Sequence, residues 1–122
     1  SLAHVVGAHY HLVHGSACSY SLPPVLRHMA PAVPQKVKRI GRILGASFDG
    51  GETPEQIGEK AAAAYAAFRD GLGMPPVREA GVVVEDIDAL AELVVHEPFA
   101  QLTPVPVDHA AAVKLLREML DL

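Results

Sequence analysis

No aspartate or glutamate occurs before Asp49, and tryptophan is absent from all 122 residues. The first absence leaves the N-terminal stretch without a local carboxylate to act as a metal ligand. The second, with only three Phe and three Tyr, means that any core must rest on Leu, Val, Ile and Ala. Such a composition leans towards helix. A single cysteine, Cys18, excludes an intrachain disulfide framework and points to a reducing compartment. No stretch reaches the roughly 18 to 20 continuous apolar residues needed to cross a bilayer. His4, His9 and His11 interrupt the first apolar stretch, which argues against a signal peptide. No membrane partner is expected, and the location reads as cytoplasmic. Ten basic residues against fourteen acidic ones leave no cationic surplus, so nucleic acid is not an expected partner either. Lys36, Lys38, Arg39 and Arg42 form the one cationic concentration, and on a helix they read as a solvated face.

Half of the residues are apolar and a fifth are charged, the balance of one folded domain spanning 1–122. The chain opens on Ser1, not Met, in an amphipathic segment already under way, so a processed or trimmed N-terminus is expected. Residues 1 to about 8 carry a helical pattern ending near Gly7, and His9 to Gly15 reads as a loop or short strand. Ala17 to about Met29 is helical, with a kink or fresh start at Pro23 and Pro24. After Pro34, residues Val37, Ile40, Ile43 and Leu44 recur at helical spacing, and Phe48-Asp49-Gly50-Gly51 is a turn cluster. Thr53-Pro54-Glu55-Gln56 forms a capping box that opens the clearest helix, with Ile57, Ala61, Ala64, Tyr65, Phe68 and Leu72 on one face. A shorter helix follows with Ile87, Leu90, Ala91 and Val94 on its stripe. Asp108 then caps a last helix whose Val113, Leu116, Met119 and Leu120 face inward. The expected fold is all-α, a bundle of five to six helices.

Four of the seven histidines, His4, His9, His11 and His14, fall within the first fourteen residues. Imidazole is the commonest neutral metal ligand, so a divalent metal site is one reading. Proton carriers beside a metal or cofactor held elsewhere are a second, and surface histidines of a loop are a third. Their spacing matches no compact zinc signature and leaves the three open.

The residues around the histidines carry more. Ala3-His4-Val5-Val6-Gly7-Ala8, then His14-Gly15-Ser16-Ala17-Cys18, then Leu22-Pro23-Pro24-Val25-Leu26-Arg27 resemble a signature of the iron-containing (group III) alcohol dehydrogenases. That signature runs His-x-x-x-His-x-Leu-Gly, a short loop, Pro-His-Gly-x-x-Asn-Ala, and a helix containing Leu-Pro-x-Val. Ala46 to Pro76 is similar to the same family's later helices. Val13 replaces the usual Pro, and Cys18 stands where Asn is common. Cys18 is a candidate ligand by chemistry, but a small buried residue at a helix start is the preferred reading.

The resemblance implies a C-terminal helical part of a two-domain dehydrogenase, with the cofactor-binding domain outside these residues. It implies that His14 is a ligand of a catalytic divalent metal, Fe2+ in most members and Zn2+ in some. It places His4 near the metal and the nicotinamide as a catalytic proton relay, with His11 lining the cleft and His9 in solvent. The reaction implied is reversible hydride transfer between an alcohol and NAD or NADP, with a small alcohol or aldehyde as partner. The family's other ligands, an Asp and a His upstream and the first His of the His-x-x-x-His pair, are not among the 122 residues. By itself the chain is therefore expected to be inactive and to bind metal weakly. A non-catalytic helical module and a relative of the maleylacetate reductases are the alternatives, though Gly15 after His14 differs from the Ala expected in the latter. An apolar face left free by the missing domain would allow a homo-oligomer.

Overall fold

The computed structural model describes all 122 residues and contains six α-helices: α1 (Leu2–Tyr10), α2 (His14–Met29), α3 (Pro34–Ile43), α4 (Pro54–Gly71), α5 (Ile87–His96) and α6 (His109–Leu120). Short 3-10 turns occupy Val77–Ala80, Val84–Asp86 and Pro98–Leu102, and there is no strand. The all-α expectation holds. No helix is long and apolar enough to cross a membrane.

The chain folds as two compact units, one made of Ser1–Ser21 with Pro76–Leu122 and the other of Leu22–Pro75. In the first, the terminal unit, α5 packs on α6 and on α1. The stripe Ile87, Leu90, Ala91 and Val94 is buried as its spacing predicts, as are Leu116, Met119 and Leu120 of α6 and Val5 and Val6 of α1. Asp108 caps α6 by accepting the Ala111 N–H at 2.8 Å.

α1 runs three residues beyond Gly7, to Tyr10, where a loop or strand is expected from the sequence. The extension is held from a distance. The Tyr10 hydroxyl donates to the Asp86 carboxylate at 2.7 Å, and the His9 ring lies 3.1 Å from the same oxygen. His11 ends the helix in the left-handed region at φ 57°, and only His11 to Val13 separate α1 from α2. The Tyr10 hydrogen bond, followed by His9, holds the Asp86 carboxyl below its usual range, while burial and the bond to Asp86 push the Tyr10 phenol up.

The central unit is built from the second half of α2, α3 and α4. Its core is Leu26, Ala30, Val37, Ile57 and Ala61, flanked by Leu22, Met29, Val33, Phe48 and Tyr65. α2 passes continuously through Pro23 and Pro24, so of the two expectations, a kink or a fresh start, the fresh start does not occur. Both prolines are buried, so packing compensates for the amide bonds that they cannot donate. Side chains on the preceding turns bond back to the backbone, Ser19 to the Gly15 carbonyl and Ser21 to the Cys18 carbonyl.

The capping box of α4 is present in full. The Gln56 N–H donates to Thr53 Oγ1 at 3.2 Å and the Thr53 N–H to Gln56 Oε1 at 2.8 Å. The inward faces of α3 and α4 are narrower than their apolar patterns. α3 buries Val37 and Gly41 against α4, which leaves Ile40 partly and Ile43 fully at the surface. On α4 the stripe is buried through Ala61 and reaches the surface at Phe68 and beyond it at Leu72.

Ahead of α4, Glu52 organises the Gly-rich turn. Its carboxylate accepts the Asp49 N–H at 2.7 Å, the Gly50 N–H at 3.0 Å and Lys60 Nζ at 3.2 Å. These bonds, that from Asp49 foremost, hold the carboxyl at about 2, well below its ordinary value. A group lowered in the folded state stabilises above its unfolded pKa, and that contribution is lost as pH falls towards the folded value. We therefore expect Glu52→Gln to lower Tm at pH 7. The gap from the wild-type chain should close as pH falls from about 4.5 to about 2. Melting curves followed by circular dichroism across that window test it, and a gap independent of pH would refute it.

Candidate metal centre

His14 is the first residue of α2, and its ring is exposed. Val13 precedes it in the loop, 75% exposed. A helix start leaves backbone N–H groups without intrahelical acceptors, and no acidic residue occupies the first turn of α2. The His14 ring therefore faces no carboxylate on its own turn. Its neighbour is Cys18, one helical turn on, whose Sγ lies 3.4 Å from His14 Nε2. Residues at i and i+4 share a helix face. Cys18 is exposed, which overturns the preferred reading of it as a small buried residue. The burial on this turn belongs to Ala17, which packs against Gly7 of α1 at 3.5 Å from where a Cβ there would lie.

His4 projects from α1 with its side chain 72% exposed, and its Nδ1 lies 2.8 Å from Glu97 Oε1. The Glu97 carboxylate is itself only 18% exposed. In the neutral ring this contact favours the proton on Nδ1, towards Glu97, and leaves Nε2 as the acceptor. The same carboxylate fixes the ring's orientation. Glu97 goes unnoticed in the sequence because it sits between α5 and a Pro-rich connection, with no periodicity to mark it. Its distance from His4 along the chain hides the pair.

Of the other histidines, His9, His96 and His109 have carboxylate partners. His9 is bonded to Asp86 and is not a free solvent histidine. His11 is exposed, and the fold uses its backbone to end α1. His96 and His109 lie on either side of Glu92, at 3.4 and 3.5 Å, tying α5 to α6. His28 Nε2 is buried in the central unit without a hydrogen-bond partner.

No three His, Cys, Asp or Glu side chains converge closely enough to hold a metal ion. The donors present suit one in kind, an imidazole and a thiol side by side with open solvent before them. They do not complete a coordination shell.

A sequence model of the Fe-containing alcohol dehydrogenase family, C-terminal part, matches residues 1–120. The chain belongs to this family. It is 38% identical over 92 residues to the lactaldehyde reductase of Escherichia coli strain K12, covering 75% of this chain and 24% of that protein. It is 31% identical over 105 residues to the 1,3-propanediol dehydrogenase of Klebsiella pneumoniae, covering 85% of this chain and 27% of that one. Alcohol dehydrogenase 4 of Saccharomyces cerevisiae strain YJM789 is 30% identical over 122 residues, with 97% of this chain and 30% of the relative covered. The chain thus spans less than a third of the length of these relatives. The resemblance to the iron-containing dehydrogenases, densest in residues 3 to 27 and expected over most of the chain, is matched over residues 1–120.

Proposed function

We propose that this chain is the helical, metal-facing part of a metal-dependent, NAD(P)-linked alcohol dehydrogenase. The observation that carries the reading is the family match over residues 1–120, which includes the segment where His14 stands exposed at a helix start. His14 is the metal ligand contributed by these residues. A divalent ion, Fe2+ by the family's habit or Zn2+, would supply Lewis-acid polarisation of the substrate oxygen. NAD or NADP, held outside these residues, would supply the hydride acceptor. His4 accepts and returns a proton at Nε2, with Glu97 holding the opposite ring nitrogen. Relatives named for lactaldehyde and 1,3-propanediol support a small, polar alcohol or aldehyde as substrate. A cytoplasmic enzyme is the accompanying reading. The surface residues Ile43, Phe68 and Leu72 of the central unit leave room for homo-oligomer formation.

A non-catalytic helical module is the second reading for the 122 residues alone, favoured by the lack of three converging ligands. Assay of alcohol oxidation and of metal content separates the two. The complete protein should hold about one divalent ion per chain and lose its NAD(P)-linked activity on chelation, whereas the 122 residues alone should do neither. Activity untouched by chelation would overturn the metal-dependent reading.

Glu97 provides a finer check. In the complete enzyme, Glu97→Ala is expected to lower kcat about tenfold, the scale of losing a carboxylate that orients a functional histidine. KM should stay nearly constant, because Glu97 acts through His4 and not on substrate. Partial recovery by Glu97→Gln, which can still accept from Nδ1–H, marks a positioning role. Equal loss in both variants would refute it.

A further inference from the structure

We infer that the cationic face of α3 is an interface with a second copy of this chain, seated on the acidic face of that copy's α5. This rests on the reading of the protein as a homo-oligomer and assigns the two surfaces that form it. Charge is segregated along the chain: no Asp or Glu precedes Asp49, and no Lys or Arg lies between Arg78 and Lys114. On α3 the result is an exposed face that carries Lys36, Arg39 and Arg42, with no acid on the helix. None of the three makes a hydrogen bond or ion pair within the chain. Lys38, the fourth cation, lies over the Phe48 ring at 5.6 Å. Ile43 stands among the free cations, 79% exposed. A single surface isoleucine is ordinary, but one set beside unpaired arginines has the composition of an interface, where arginine is enriched.

The complementary face lies on α5. Glu85, in the turn that runs directly into α5, is followed at three- and four-residue steps by Asp88 and Glu92, which places all three on one exposed stripe. Leu93, next to Glu92, is 56% exposed. Glu85 has no partner within the chain. The partners of Asp88 and Glu92 are the imidazoles of His96 and His109, at 3.4 to 3.6 Å. At a rise of about 1.5 Å per residue, the charges of α3 span about 9 Å and those of α5 about 10 Å. In parallel register Lys36 meets Glu85, Arg39 meets Asp88 and Arg42 meets Glu92, with Ile43 against Leu93. Complementary charges fix such a register, and like charges set opposite one another disfavour the wrong pairing. α3 therefore does not pair with α3, nor α5 with α5, and the contact joins unlike faces of the two copies.

The test is sedimentation velocity on the complete protein at about 0.1 M and about 1 M salt, where the Debye length falls from about 10 Å to about 3 Å. Arg39→Glu, Asp88→Arg and the double variant carrying both are compared with the wild type. The expected result is concentration-dependent association of the wild type, weakened at the higher salt. Either reversal should raise the dissociation constant about tenfold or more. The double variant should recover association, because each copy again sets opposite charges across the contact. Lys36→Glu with Glu85→Lys repeats the design on two residues without internal partners, in case Asp88→Arg disturbs the contact of α5 with His109. A protein that stays monomeric would overturn both the homo-oligomer reading and this interface. An oligomer untouched by either reversal overturns the interface alone, another domain or a different partner then covering these faces. Loss in both single variants without recovery in the double means that the two faces do not meet, and the pairing fails.

Discussion

Replacing His14 by alanine in the complete enzyme is expected to reduce kcat/KM about a thousandfold or more, with loss of the bound ion. The magnitude follows from the task. Lewis-acid stabilisation of developing charge is worth several kcal/mol, and each 1.4 kcal/mol is about a factor of ten in rate. On the proposed role of His14, its removal withdraws that contribution and leaves the chain's fold intact, because the side chain is exposed and packs into neither core. His9→Ala is the matched control. It breaks the 3.1 Å contact with Asp86 and should cost stability near the end of α1 but little activity. Elemental analysis and steady-state kinetics on the two variants give the comparison. Equal activity losses would mean that the N-terminal histidines act through folding alone, and the metal reading would fail.

Legibility along the chain followed the range of the forces involved. The start of α4 was readable because Thr53, Pro54 and Gln56 satisfy its end locally, within four residues. The stripe of α5 and the cap of α6 were readable for the same reason. The end of α1 was not, since its last turn depends on Asp86, 76 residues away from Tyr10. The prolines of α2 left a kink and a fresh start open because their local cost is plain in sequence, whereas the burial that accompanies the continuous helix belongs to tertiary packing. Periodicity overstated the inward faces of α3 and α4. It reports which residues share a face and is silent on how much of that face a neighbour covers.

The site divides in the same way. His14 and His4 stood out through the motif surrounding them, a pattern that spacing between histidines did not reveal. Glu97 and the Cys18–His14 contact emerged only with three-dimensional geometry. Cys18 is instructive, because a thiol at a helix start is more often buried than not. Here Ala17 and Tyr20 take the buried positions, and the helical repeat turns Cys18 outward beside His14.

Gly58→Ala is the second change with a large expected effect, a loss of about 1 to 2 kcal/mol in stability. Two terms oppose each other. In a helix interior alanine is favoured over glycine by about 1 kcal/mol, so on propensity alone the substitution should stabilise α4. The packing of the central unit reverses the sign. A Cβ at Gly58 would lie 3.0 Å from Ala30 Cβ and 3.1 Å from Arg27 Cα. The second atom is backbone and cannot rotate aside, so α4 and the last turns of α2 must separate. Overpacking of this kind costs about 1 to 3 kcal/mol, more where the neighbour cannot yield. The separation also loosens the contacts of Ile57 and Ala61 with Leu26 and Ala30. Thermal melts should record a fall of roughly 5 to 10 °C for a chain of this size. A rise would mean that propensity outweighs the clash and that the two helices have slack between them. The mid-helix glycine, which costs stability when read from the sequence alone, is in this reading what allows α2 and α4 to meet.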